Sequence, residues 1–201
     1  MEGSKWVEVV KSLRGIFRDA VESAVRGLDD YPSLFVDALL GRGAAVRSRI
    51  ERRLVTIIGN RSSEIVAPFF RWRTPTEHPF DFVGALERDP SNVVTVKVVS
   101  SIKAFNSTMM RAVEVASYQC SYQPYILTLH GFWRDEHVKQ VGRAKWLDGV
   151  KTWEFLTGDR YGYRKFITLV YVVGREVRKE YAALIYGVGK RSRSSATKGG
   201  K

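Results

Sequence analysis

Asp81 and Lys97 stand sixteen positions apart, an acid and an amine on two short apolar runs. The first run is Phe80-Asp81-Phe82-Val83-Gly84-Ala85-Leu86 and the second is Val93-Val94-Thr95-Val96-Lys97-Val98-Val99. Between them lies Glu87-Arg88-Asp89-Pro90-Ser91-Asn92. Apolar and β-branched runs around such a cluster predict two antiparallel strands and their turn. On a hairpin of that kind the two charged groups can face one small volume. A carboxylate able to hold a hard cation, beside an amine that steadies a phosphate and a water, suits phosphodiester hydrolysis. Each residue also has a plainer reading. An acid on an apolar strand is costly unless it meets a cation, a donor or a metal, so Asp81 could instead bond loop amides at a strand end. Lys97 interrupts five valines and should share a face with Thr95 and Val99; its plainer role is an edge lysine that discourages strand pairing.

Helices must bracket this hairpin. Trp6, Val9, Val10, Leu13, Phe17, Val21, Val25 and Leu28 recur at three- and four-residue steps until Asp29-Asp30-Tyr31-Pro32 stops them. A second helix is expected from Ser33 to Leu40 and a third, rich in arginine, from Ala44 to Ile58. The prolines of Arg71–Pro79 leave that stretch extended or looped. After the hairpin come a helix from Asn106 or Ser107 to Tyr118 and a strand at Tyr125–Leu129. A short helix at Glu136–Val141, a short strand at Lys145–Leu147, and helices at Val150–Leu156 and Tyr163–Tyr186 follow. The order predicts an α/β (α+β) fold, a mixed sheet wrapped by helices. Residues 1–189 read as one domain, helical over 1–70 with a core over 71–189. The tail 190–201 has five bases and no acid and reads as unstructured.

Composition points to the partner. Thirty-three Lys+Arg against twenty-one Asp+Glu give a net charge of +12 in 201 residues. Such a chain is drawn to polyanions through phosphate neutralisation and counterion release. Cys120 is the one cysteine, and His78, His130 and His137 are scattered, so neither a disulfide nor a zinc site is indicated. No apolar run reaches the length of a membrane span, and the first residues lack the order of a secretory signal. A cytoplasmic protein is expected. Abundant Arg and Val with scarce Gln hint at a thermophilic prokaryote.

These residues resemble the PD-(D/E)XK nuclease superfamily, best known for type II restriction endonucleases. Phe80-Asp81, the turn, and Lys97 near the end of the second strand carry its core motif. Lys97-Val98-Val99-Ser100-Ser101 is similar to the segment that follows the family's lysine, and Ala104-Phe105-Asn106-Ser107 to the start of its next helix. Gly149-Val150-Lys151-Thr152-Trp153-Glu154-Phe155-Leu156-Thr157-Gly158-Asp159 is similar to a downstream segment of several members. The likeness covers Pro79 to Asp159 and implies a restriction-endonuclease-like core. It also implies Mg²⁺, double-stranded DNA cut to leave 5′-phosphates, and a homodimer. One position departs: where the family carries Asp or Glu two residues before the lysine, this chain has Thr95. Some members with Ser or Thr there supply a glutamate from the following helix, which makes Glu114 the expected second metal ligand beside Asp81. Glu51, Glu64 and Glu77 are the other acids on offer. Trp72, Arg73, Asn106 and Ser107 are candidate DNA contacts, although Asn and Ser at a helix start commonly cap it. A junction-resolving or repair nuclease of the same fold, and a DNA-binding module without chemistry, remain as alternatives.

Overall fold

The structure is a computed structural model and describes residues 2–26, 57, 59–133 and 138–195. Among them the sheet has six strands: β1 (Phe70–Pro75), β2 (Phe82–Leu86), β3 (Val93–Ser101), β4 (Gln123–His130), β5 (Lys139–Val141) and β6 (Ala144–Leu147), in the order β1-β2-β3-β4-β6-β5. β1, β2 and β3 are antiparallel neighbours, β4 joins β3 in parallel, β6 joins β4 in parallel, and β5 pairs antiparallel with β6. The chain is therefore α/β, with a mixed sheet flanked by helices. An antiparallel step needs only a turn, which residues 87–92 provide. The parallel step from β3 to β4 needs a crossover, and helix α3 (Ser107–Ser117) makes it. Helix α1 is Glu2–Arg26, residues 59–66 form α2, and α4 (Gly149–Thr157) and α5 (Gly162–Ser195) close the chain.

The central strands are covered on both faces, which is why β3 and β4 read as nearly continuous apolar runs. On one face, Val99 and Ile126 join Phe80, Phe105, Val113 of α3, Ala144 and Trp146 in a buried cluster. On the other, Trp153 of α4 donates from Nε1 to the Leu129 carbonyl at 3.0 Å, and Phe155 stacks on Tyr125 at 4.7 Å. Trp153 is also stacked between Trp6 and Phe166. Side-chain caps set the starts of both short helices: Asn106 accepts from Met109 N at 2.9 Å, and Asp148 from Lys151 N at 2.8 Å. Gly158, at φ +76°, ends α4.

The chain divides into two compact units. One comprises Met1–Ser12 and Ile58–Leu169, the other Leu13–Ile57 and Val170–Lys201. The first contains the whole sheet. In the second, Leu13, Ile16, Phe17, Ala20, Val173 and Val177 are buried. There Arg14 pairs with Glu176 and Arg18 with Glu180, the same sequence offset in both cases, so α1 and α5 run in the same direction. The helices expected at Ser33–Leu40 and Ala44–Ile58 lie outside the described residues.

Three segments differ from the expectation. Arg71–Pro75 is extended as anticipated, but it pairs as the edge strand β1. Its residues 71–75 are exposed, so no alternation marked it, and Pro75 is tolerated at an edge. Lys139–Val141 was expected within a short helix and is β5. A two-residue connection joins it to β6, with Gly142 at φ +59°, and a tight hairpin of that kind overrides the weak helical pattern. Residues 190–195, expected to be unstructured, continue α5 to Ser195.

Gly142 also touches α3. A Cβ there would lie 2.4 Å from Ser117 Oγ and 2.8 Å from the Glu114 carbonyl. Ser117 Oγ cannot easily retreat, since it donates to that carbonyl and accepts from Arg143 N. Gly142→Ala is expected to lower stability by about 1–3 kcal/mol in a urea titration; an unchanged midpoint would show that the hairpin can shift.

Candidate active site

β2 and β3 pair from Phe82 opposite Val96 to Ala85 opposite Val93. Before Phe82 the chain turns away, after one last bond from Asp81 N to the Val96 carbonyl at 2.8 Å. Alternate residues of a strand direct their backbone groups to the same side. Val98, two beyond Val96, therefore faces a gap where β2 no longer runs. Its N–H is taken by Asp81 Oδ2 at 2.6 Å, and its carbonyl accepts from Ser62 Oγ of α2 at 3.4 Å. Asp81 Oδ1 lies 2.9 Å from Lys97 Nζ. The two side chains are 26% and 14% exposed, respectively, so the contact is largely shielded from water while still reachable from outside. Asp81 thus bonds a backbone amide of β3, that of Val98, and forms a charge-assisted pair with the lysine.

Thr95 and Lys97 share a sheet face, and Thr95 is buried. Its hydroxyl bonds with the Cys120 thiol, whose pKa burial pushes up more than that bond and nearby Arg143 pull it down. Glu114 is exposed on α3, with its backbone against Gly142. Among the described residues, no group of three or more His, Cys, Asp or Glu is placed to hold a metal ion. Asp81 and Lys97 are thus brought together, and Glu114 joins no such group with Asp81. Glu64 is held by Arg61 through two contacts of 2.8 and 2.7 Å, which keep its carboxyl below the usual range. Glu77 is exposed, and Glu51 lies outside the described residues.

One residue escaped the sequence reading. Thr76 donates its N–H to the Asp81 carbonyl at 3.3 Å, while its Oγ1 is buried without a hydrogen-bond partner. A threonine in a proline-flanked stretch carries no pattern that would single it out.

Register sorts the candidate DNA contacts. Trp72 lies opposite Ala85, and Thr74 opposite Val83, which faces Thr95, so Trp72 and Thr74 share the face of Lys97. Arg73 lies opposite Gly84 and Val94 on the other face, its guanidinium 5.7 Å from the Phe82 ring centroid. Trp72 is 44% exposed. Asn106 caps α3, and Ser107 is the exposed first residue of that helix.

Asp81→Ala removes both the acceptor for Val98 N–H and the partner of Lys97, whereas Asp81→Asn keeps an oxygen for the amide. Asp81→Ala is expected to be less stable than Asp81→Asn by about 1–3 kcal/mol in chemical denaturation. Equal stability would mean that the carboxylate does not hold the end of the strand.

Comparison with known proteins finds no matching family model, no similar curated protein and no similar solved structure.

Proposed function

We propose that this chain is a Mg²⁺-dependent endodeoxyribonuclease that cuts double-stranded DNA, with a PD-(D/E)XK-like core and the site specificity of a type II restriction enzyme. The observation that supports it is the 2.9 Å pair of Asp81 and Lys97 where β2 and β3 separate. The net charge of +12 supports a polyanionic substrate.

Mg²⁺ is usually bound by one or two carboxylates together with substrate phosphates. Asp81 offers one carboxylate, and Thr76, whose backbone bonds that of Asp81, offers a buried hydroxyl with no hydrogen-bond partner among the described residues. These residues fit an ion shared with phosphate oxygens. Bound there, the ion would supply Lewis-acid polarisation of the scissile phosphate. Lys97 has three N–H donors and no lone pair while charged. One donor is engaged by Asp81, leaving two to orient the attacking water and to offset charge on a phosphate oxygen. Lys97 therefore acts as a positioner and electrostatic stabiliser. Asp81 orients the lysine and holds the strand against which both are aligned. A homodimer would place two such sites about a two-fold axis, as a palindromic duplex requires. A cytoplasmic setting suits this activity, and no described helix is long and apolar enough to cross a membrane.

A second reading, a DNA-binding protein without chemistry, draws on Thr95. A neutral hydroxyl engaged with Cys120 stands where the family has an acid. Plasmid incubation with Mg²⁺ or Mn²⁺ separates the two. The nuclease reading expects discrete fragments from the wild type. Asp81→Ala and Lys97→Ala should each cut at least about 100-fold more slowly while still shifting duplex DNA in a gel. Intact plasmid with a retained shift would favour the binding module. Cutting confined to four-way junctions would redirect the assignment to a resolving enzyme.

A further inference from the structure

The last residue of β4, His130, pairs with Ser101, the last of β3. β3 therefore leads from Lys97 to a point beside His130, four residues or about 13 Å along the strand. Asp81, just before β2, and His130, at the end of β4, lie towards the carboxyl end of β3, and Lys97 lies at its middle. The carboxyl ends of parallel strands are where such sheets gather ligands.

The turn that follows is tightly pinned. Gly131 has φ +112°, a conformation that a side chain would strain. Its N–H donates to Tyr163 Oη at 3.3 Å, and its carbonyl accepts from Gly149 N at 2.7 Å. A Cβ on Gly149 would come within 2.6 Å of that carbonyl, so the close approach requires glycine at 149. Tyr163 Oη also lies 2.8 Å from His130 Nδ1. With Gly131 N–H already donated to Oη, the hydroxyl proton is free for Nδ1. With Tyr163 donating to Nδ1, a neutral ring carries its own proton on Nε2. The ring is exposed, and Phe132, one residue past the glycine, is 70% exposed. A fixed turn thus presents a hydrogen-bond donor and a large apolar ring together, on a chain of charge +12. An exposed apolar ring beside a donor suits a DNA backbone, whose phosphates accept hydrogen bonds and whose sugars offer apolar contact.

We propose that the His130–Phe132 turn is a second DNA contact of the same site: His130 donates through Nε2 to a backbone phosphate a few nucleotides from the scissile one, and Phe132 packs against the sugars beside it. This rests on the nuclease reading, which supplies double-stranded DNA as the ligand. Tyr163 is a positioning residue that sets the tautomer and angle of the imidazole.

The test is fluorescence anisotropy with a labelled mixed-sequence duplex in Ca²⁺, read separately from cleavage in Mg²⁺. Phe132→Ala and His130→Ala are each expected to weaken binding by about ten-fold, with the melting temperature of Phe132→Ala unchanged, since that side chain is exposed. Tyr163→Phe keeps the ring and removes the hydroxyl, and should lose part of the His130 effect in the wild-type background and nothing further in His130→Ala. Binding within two-fold of wild type for both alanine variants overturns the proposal, as does a wild type that fails to bind the duplex. A shift in oligomeric state with DNA binding unchanged also overturns it, assigning the turn to a protein contact. A wild type that binds but does not cut defeats the nuclease reading alone and leaves the turn's role to be decided by the variants.

Discussion

A backbone N–H left facing a gap between diverging strands must find an acceptor, and in this protein that requirement organises the candidate site. β3 continues past the point where β2 turns away, so Val98 cannot complete the ladder with a neighbouring backbone. The Asp81 carboxylate takes the place of the missing carbonyl. Once fixed by that bond, its second oxygen is held where the Lys97 ammonium reaches it. The pairing follows from backbone accounting as much as from charge, because an unpaired buried amide costs about as much as a lost hydrogen bond. The same gap is closed on the other side by Ser62, which satisfies the Val98 carbonyl and ties α2 to the strand.

The face that carries Lys97 is otherwise apolar apart from buried threonines. Val99, Ile126 and Trp146 lie under α3 with Phe80 and Phe105, and the Trp146 indole finds Thr128 Oγ1 at 2.8 Å. Packing on that face accounts for Thr95 as well. Its hydroxyl is buried with the Cys120 thiol, a small polar contact inside a packed layer. A carboxylate in that position would face the cost of burial without a partner unless a cation accompanied it. Thr95 thus removes a charge that would otherwise need compensation, and leaves Asp81 as the acid aligned with the lysine.

The open side of the sheet has its own logic. β1 is paired on one side only, and its residues 71–75 are exposed. Alternation divides its long side chains between the two faces, so neighbours in sequence serve different surfaces. Trp72 stands with the site, while Arg73 stacks on Phe82 behind it. At the other end of β4, the Gly131 and Gly149 contact fixes a turn whose exposed residues lie beyond the end of β3.

Much of this was legible in the chain. Valine-rich runs around Asp-Pro-Ser-Asn identified β2 and β3. The periodic apolar residues from Trp6 identified α1, and the cap at Asn106 stands where the helix after β3 begins. The likeness in spacing singled out Asp81 and Lys97. Other features were hidden, because they depend on residues distant in sequence. β1 became a strand only because β2 offered it a ladder, and β5 only because Gly142 could turn it back onto β6. The partners of Thr95 and Glu64, the spare hydroxyl of Thr76 and the turn at His130 are set by what packs or bonds beside them. Local composition and spacing by themselves determined the central strands and the helices beside them, and which two charged residues could meet. The tertiary structure decided which oxygen faces which donor, since hydrogen bonds are directional and their partners here are brought together only when strands and helices dock.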